Sequence, residues 1–437
     1  MAEKVDVVVV GGGPAGIACA YTLAKAGVET IVFERGEYPG AKNVMGGILF
    51  TNALAKIIPD FREKAPVERP VTKRKFLALS EKDALGVETG FSEFTRPPHN
   101  NNFTVLRARF DQWFASQAED AGAMILSETV VDDFIYDDNK KIIGVKTRRE
   151  DGDILCNCVV LADGVNSLLA KKAGLRSDFK PKNFVLGVKM VLGLPEEKIC
   201  ERFALESNND GAAYEFFGSV TNNILGSGFI YTNLKSISVG LGVAVDSACK
   251  LGLRPYELLD KFMEHPYVRP LVKDAEPIEY SAHLIPEGGY REMPHVFMDN
   301  VLVCGDAASF VNTSVYHEGS NLAMESGILA AKAVMQARGR GDYSAKSLMK
   351  YAEYLEESIV IKDLKKYERL PEFLHSSPHL FNNYLDLAIE LAKDYFTVDE
   401  LSKGERQKLM FKKAWSRVSL VQLMSDAYKS FRSFIWN

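Results

Sequence analysis

The residues best suited to chemistry lie in short glycine-containing fragments far apart along the chain. Gly11-Gly12-Gly13-Pro14-Ala15-Gly16 contains the spacing Gly11-x-Gly13-x-x-Gly16, and Glu34 stands 18 positions beyond the last of these glycines. Gly11 permits a tight turn, Gly13 lets the backbone approach a pyrophosphate, and Gly16 allows a helix to pack closely on a strand. Pro14 and Ala15 fall where that helix opens, and its N-terminus offers N–H groups and the positive end of the helix dipole. Glu34 would accept the ribose hydroxyls of the nucleotide. The glycine spacing alone also fits a merely structural turn; strand, helix and acid in register point to a dinucleotide site.

Gly305-Asp306-Ala307-Ala308 and Ala162-Asp163-Gly164 are fragments of a second kind. An aspartate at the end of an apolar strand, followed by small residues entering a helix, suits the ribityl chain of a flavin, which a nicotinamide dinucleotide lacks. Arg107 and Asp111 could form the polar wall between the fragments. An ordinary helix cap is the alternative for Asp306, and it weakens because all the pieces occur together. FAD is therefore the expected cofactor. Gly226-Ser227-Gly228, Gly240-Leu241-Gly242 and Gly339-Arg340-Gly341 each fail to place a third glycine, so no nicotinamide domain is expected. Electrons would then arrive from a transiently docked donor or another protein.

These residues need elements to hold them. Val5 to Val10 is a continuous apolar, β-branched run, as expected of a central parallel strand covered on both faces. Helical composition follows from Ile17 to Ala26, ending at Gly27, and Thr30 to Phe33 resumes as a strand, completing a βαβ unit. Arg109 to Ala121 reads as helix, Val159 to Ala162 and Val301 to Cys304 as buried strands, and Glu318 to Ala337 as helix. Phe184 to Leu192, Ala213 to Phe217, Ile224 to Tyr231 and Ile237 to Val245 are short strands separated by turn residues, which predicts an antiparallel sheet inserted in the first domain. Everything beyond Gly341 reads as helical. The expected architecture is α/β: an FAD-binding Rossmann-like domain of glutathione-reductase type in segments 1–75, 106–180 and 291–340, a substrate or quinone domain in 76–105 and 181–290, and a helical C-terminal region over 341–437.

The 437 residues are 46% apolar and 25% charged, which excludes a disordered or collagen-like chain and suits two or three domains. A net charge of -5 does not favour a nucleic-acid binder. The six cysteines contain no CxxC pair, so the spacing for a zinc or iron–sulfur site is missing and buried reduced thiols are expected. No metal is expected. Neither a membrane-spanning run nor an export signal is visible, and a cytoplasmic location is expected.

Together, the glycine fingerprint with Glu34-Arg35, Ala162-Asp163-Gly164 and Cys304-Gly305-Asp306-Ala307-Ala308 resemble the FAD fold of the hydroxybenzoate hydroxylase and geranylgeranyl reductase group. More narrowly, the stretch from Tyr38 to Gly47, His283-Leu284-Ile285-Pro286-Glu287-Gly288-Gly289 and His317-Glu318-Gly319-Ser320-Asn321 resemble the FixC-type flavoprotein family, related to electron-transfer-flavoprotein:quinone oxidoreductase. The resemblance spans essentially the whole chain. It implies that Lys42, Asn43, Gly46 and Gly47 lie beside the isoalloxazine and that the helix opening at Gly319, Ser320 and Asn321 points at the flavin pyrimidine, where a positive helix end favours the reduced, negatively charged ring. Arg35 and Val130 join the expected nucleotide contacts. Lys42, His283, Gly288 and His317 are candidates for positions near flavin or quinone. Lys42 is equally compatible with a solvent-facing role, and the Pro286 to Gly289 segment with a plain connecting turn.

The resemblance further implies electron transfer from an electron-transfer flavoprotein through FAD to a membrane quinone, in a Fix/Etf-type complex of the kind that can bifurcate electrons. Single-chain relatives carry a ferredoxin-like part with a four-cysteine [4Fe–4S] cluster. This sequence has no such cysteine set, which implies a separate ferredoxin-like subunit. A prenyl-lipid reductase of the geranylgeranyl reductase type and a structural flavin-bearing subunit are the competing readings. Residues 401–437 hold eight Lys/Arg against two Asp/Glu, with Phe411, Trp415, Val418, Val421, Met424, Tyr428, Phe431 and Ile435 at helical spacing beside Lys412, Lys413 and Arg417. Such a basic amphipathic segment suits peripheral contact with the inner face of the cell membrane, docking of a partner, or packing on the protein's own core.

Overall fold

A computed structural model of the chain describes residues 4–42, 47–178 and 180–435. The first apolar run has almost no polar surface to offer water, and it forms the strand Lys4–Val10 inside an eight-stranded sheet. It lies parallel to Thr30–Phe33 on one side and to Ile154–Leu161 on the other, and Val301–Val303 continues the parallel set. The carboxyl ends of these strands therefore emerge along one edge, where ligands bind in open α/β sheets. The helices Pro14–Lys25 and Ser320–Arg340 pack against each other beside this edge. A Cβ on Gly327 would lie 2.1 Å from the Ala15 carbonyl oxygen, so this contact needs a glycine that the sequence reading did not single out.

The second layer is a nine-stranded sheet. The four expected strands are present as Phe184–Gly193, Gly211–Gly218, Gly226–Thr232 and Ser236–Ala244, and they pair antiparallel with one another and with Glu276–Pro286. One join is parallel: Gly211–Gly218 pairs with the long strand Val67–Leu79. That strand pairs with Asn102–Val105 at its start and with Gly211–Gly218 further along, so it runs unbroken across positions 75 and 76. Ile48–Phe50 also belongs to this sheet, through Asn102–Val105. The second layer thus draws on chain that the sequence reading assigned to the first domain, because a strand shared between two pairings cannot be divided at a composition shift.

Alternation along these strands sorts their side chains. Val188, Tyr214, Phe216, Ile230, Ile237 and Val239 enter an apolar cluster with Ile199, Phe203 and Phe262 of the covering helices. Their neighbours Lys189, Glu215, Tyr231 and Ser238 take the opposite face, which meets Gly47 and His317.

The C-terminal region is helical, as expected, but the amphipathic stripe is not one helix. Lys403–Arg417 and Leu420–Phe434 are separated at Val418, and Ser419 caps the second of them by accepting from the Gln422 N–H at 3.1 Å. The last helix is also turned over. Asp426 and Ser433 are its buried residues, while Val421, Met424 and Tyr428 are 79%, 65% and 60% exposed. Asp426 Oδ2 holds this orientation, accepting from Tyr384 Oη at 2.5 Å with His379 Nε2 at 2.8 Å. Packing of the apolar stripe on the protein's own core is therefore overturned, with Val418 alone of that stripe buried. The basic cluster is corrected too: Lys413 pairs with Asp394 and Glu390, and Arg417 Nη2 lies 2.9 Å from Glu390, which partly neutralises it.

Arg69 supports the second sheet from inside. It is fully buried, and it donates to the carbonyls of Asn233 and Ser207 at 2.7 Å and of Asp210 at 3.0 Å. Arg69→Met keeps the aliphatic stem but leaves these carbonyls without their donor, and should destabilise the protein by about 3 kcal/mol. Thermal or urea denaturation measures this; a loss below about 1 kcal/mol would show that the loops are held by other contacts.

Candidate functional site

The glycine fragment forms the turn between the first strand and its helix. Gly11 has φ +107°, donates to the Phe33 carbonyl at 2.8 Å, and an added Cβ would lie 2.3 Å from the Ala162 carbonyl oxygen. Gly16 is equally constrained, 2.0 Å from the Gly11 carbonyl oxygen by the same construction. Gly13 differs: its backbone is extended and an added Cβ would meet nothing within 4 Å. The protein has no packing reason for glycine there, whereas a pyrophosphate lying along the turn would fill that space. The helix Pro14–Lys25 has no side-chain cap and no acid in its first turn, so its N–H groups and dipole are left for an anion.

Glu34 follows the strand Thr30–Phe33, at the end where the nucleotide is expected. Its carboxylate accepts from the Gly12 N–H at 2.8 Å and the Gly36 N–H at 2.6 Å, one bond to each oxygen, with lone pairs remaining for ribose hydroxyls. Arg35 is exposed. Val130 lies in the neighbouring connection, where its carbonyl accepts from Arg148 at 3.0 Å and Thr129 donates to the Glu34 carbonyl at 2.8 Å.

The second half of the site gathers around Asp306. Gly305 has φ +64° and donates to Ser326 Oγ at 3.0 Å, and its Cα side abuts Ala15. Among the described residues no hydrogen bond reaches the Asp306 carboxylate, which burial pushes upward against the pull of Arg107 and Arg176. Hydroxyls of a ribityl chain would satisfy it. Arg107 Nε and Nη2 grip the two oxygens of Asp111 at 2.7 Å each, and Nη1 reaches Ser320 Oγ at 3.2 Å. These bonds tie the helix Arg107–Asp120 to the start of Ser320–Arg340. Asp163 accepts from Ser167 Oγ at 3.2 Å and is pushed up to about 6 by burial. Gly164 follows it with φ +75°. Arg176, which the sequence reading passed over, donates to the Ala307 carbonyl at 3.0 Å and to Ser309 Oγ at 3.3 Å, clamping the Asp306 turn.

The residues expected at the flavin-ring end are divided. Gly47 has φ +99° and sits against the Val105 carbonyl, with Ser238 and Tyr231 behind it, while Asn43 and Gly46 lie outside the described residues. Lys42 is exposed. Gly319 caps the helix Ser320–Arg340 without a side-chain bond and at negative φ, so its conformation alone does not demand glycine. Asn321 is spent within the protein: Oδ1 accepts from the Ala53 N–H at 2.9 Å and Nδ2 donates to Glu318 at 2.6 Å, anchoring the helix start. His283 is half-buried, and burial, Arg35 and Arg107 lower its pKa and favour the neutral ring. Gly288 packs on Glu292, and the adjacent Glu287 is pushed up to about 7 by burial. His317 Nε2 lies 3.6 Å from Glu215 Oε2. Glu215 and Lys189 are additions to the site; each interrupts an apolar strand, and that interruption was a readable signal.

Substitutions can separate what the fold needs from what the cofactor needs. Gly11→Ala should destabilise the protein itself, whereas Gly13→Ala should leave the unfolding of the apoprotein nearly unchanged and lower FAD occupancy. Asp306→Ala should weaken FAD binding by about 1.5 to 3 kcal/mol, roughly 10- to 150-fold in Kd. Flavin-fluorescence titration of the apoprotein measures both; unaltered affinity in the Gly13 and Asp306 variants would displace the cofactor from this cradle.

Residues 6–176 match the FAD dependent oxidoreductase family, and residues 370–435 match the ETF-QO/FixC family C-terminal domain. Protein FixC of Bradyrhizobium diazoefficiens is 43% identical over 436 residues, which cover 99% of each chain. Protein FixC of Azotobacter vinelandii is 41% identical over 434 residues, 99% of this chain and 100% of that one. Among solved structures, a geranylgeranyl bacteriochlorophyll reductase-like protein from Thermoplasma acidophilum matches with a TM-score of 0.73 and 22% identity, over 99% of this chain and 100% of its own. At that identity the structural likeness establishes the shared fold. These full-length likenesses show that the chain belongs to the FixC family and is an FAD-dependent oxidoreductase, a cofactor that the open cradle at Gly13 would fit.

Proposed function

We propose that the chain takes electrons from an electron-transfer flavoprotein onto its FAD and passes them to a membrane quinone, within a Fix/Etf-type complex that includes a ferredoxin-like [4Fe–4S] subunit. The observation that carries this reading is a single dinucleotide cradle in a chain of the ETF-QO/FixC family. With no second nucleotide fingerprint to seat a nicotinamide donor, reducing equivalents are supplied by a docked protein. The same arrangement suits an electron-bifurcating complex in which this FAD serves the branch ending at quinone. The six cysteines of the sequence contain no CxxC pair and only Cys304 lies beyond Cys249, which supports placing the cluster on a partner. Bound FAD would supply the two-electron chemistry; Gly13, Glu34, Arg107 and Asp306 would hold it, and the face of the second sheet that carries His283 and Glu215 would lie toward its ring.

The C-terminal region supports a place at the membrane surface. No helix among the described residues is long and apolar enough to cross a membrane. Instead Phe411, Trp415, Val421 and Met424 stand 66%, 58%, 79% and 65% exposed on neighbouring helices, while the polar Asp426 points inward. An apolar surface of this kind can lie in the headgroup region without a spanning segment. We place the chain on the cytoplasmic face.

Two experiments test this. The isolated chain should carry FAD and no iron, and electrons from the electron-transfer flavoprotein should reach quinone only in the assembled complex; stoichiometric iron–sulfur in this polypeptide alone, or saturation of a prenyl double bond in place of quinone reduction, would overturn the reading. In vesicle co-sedimentation, a Trp415→Gln, Val421→Gln, Met424→Gln variant should lose about tenfold or more in binding at any salt concentration. Lys412→Gln, Lys413→Gln, Arg417→Gln should cost less, because two of these cations already have acidic partners. A larger loss from the charge variant would return the contact to electrostatics.

A further inference from the structure

Within the strand Gly211–Gly218 the run Ala212-Ala213-Tyr214-Glu215-Phe216-Phe217 places one carboxylate among apolar side chains. Tyr214 and Phe216 enter the packed face, so Glu215 takes the face toward the cofactor side. Its side chain is 4% exposed, with Arg74 Nη1 3.7 Å from Oε1 and His317 Nε2 3.6 Å from Oε2. Both separations are too long for hydrogen bonds. Oε2 is buried with no hydrogen-bond partner among the described residues. An ionised carboxylate is poorly served there, and burial raises its proton affinity against the opposing charges of His317 and Arg74. The titratable or charged groups around it are Arg74 from Val67–Leu79, Tyr231 from Gly226–Thr232 and His317.

His317 provides the route outward. Its side chain is 40% exposed, and it stands three residues before Ser320, whose hydroxyl is bonded to Arg107 in the cofactor wall. On the inner side Tyr231 adjoins Gly47, at the ring end of the cradle. His317 is thus the partly exposed member of the pair and Glu215 the buried one, and Tyr231, which lies near enough to Glu215 to feel its charge, adjoins Gly47.

We propose that Glu215 and His317 form a proton relay from solvent to the space between the second sheet and FAD. This rests on the reading above that the acceptor is a quinone. Such an acceptor takes up two electrons and two protons; one proton accompanies the two electrons from anionic reduced FAD, and the chain has to provide the other. The Glu215 O–H bond breaks as an O–H bond forms at the acceptor's carbonyl oxygen. The Glu215 carboxylate then takes a proton from the His317 imidazolium, and His317 is reprotonated by water. No further oxidant or reductant is needed.

The test uses the assembled complex with FAD loaded in this chain, reduced anaerobically and mixed with a water-soluble benzoquinone. Glu215→Gln should slow reoxidation by about 10²-fold at unchanged FAD occupancy. His317→Gln should slow it less, with recovery on adding imidazole. A second readout is independent of turnover: infrared difference spectra of oxidised against reduced protein should contain a protonated-carboxyl band that shifts in heavy water and vanishes in Glu215→Gln. Reoxidation at the wild-type rate in both variants, or a carboxyl band that persists in Glu215→Gln, would overturn the relay. If the wild type passes no electrons to quinone, the acceptor assignment fails by itself and the infrared result alone decides the relay.

Discussion

The site depends on one constraint: backbone packed on backbone where the first turn crosses the end of the parallel strands. Gly11 passes so close to the Ala162 carbonyl that no side chain fits, and Gly16 sits as tightly over Gly11. This brings the start of the first helix down onto the strand edge. Gly305 and Gly327 then pack on Ala15 from the other side, which fixes the Asp306 turn and the helix Ser320–Arg340 against the same helix. Segments far apart in the chain are thereby brought together, and Arg107, Asp111, Ser320 and Arg176 tie them with charge-assisted bonds.

The second sheet shows how one element can serve both stability and chemistry. Alternation sends large apolar residues to one face, where helices cover them, and leaves the other face free to carry Lys189, Glu215 and Tyr231. Buried charged groups on that face are expensive unless partnered. Lys189 has Glu279 at 3.4 Å, whereas Glu215 has only long contacts. That difference distinguishes a satisfied ion pair from a group poised to exchange a proton.

The C-terminal region inverts the usual order of a surface helix. Asp426, bonded to Tyr384 and His379, holds a polar side inward, and the apolar side faces out. Such exposure is unfavourable in water, and it makes sense for a surface that meets lipid or another chain.

Much of this was legible along the sequence because it is local. The strand of valines, the glycine spacing and Glu34 lie within one supersecondary unit, where periodicity and turn chemistry leave few alternatives, and the Asp306 fragment carries its own strand-end signature. The antiparallel strands were likewise readable from alternation and turn residues. The parallel pairing of Gly211–Gly218 with Val67–Leu79 was not, because pairing between distant segments leaves no local mark. Arg176 gave no signal either, since its role is to reach a carbonyl from 131 positions away in the chain. The tail shows the division most plainly: helical spacing revealed an apolar stripe, but which way it faces depends on Asp426 meeting Tyr384 and His379, and on Lys413 and Arg417 meeting Glu390. The sequence by itself determined most of the local elements and pointed to the cofactor chemistry, whose physics acts within a few residues. Tertiary packing alone decided which side chains on those elements are buried, paired or presented to a partner, because burial and charge pairing depend on neighbours far apart in the chain.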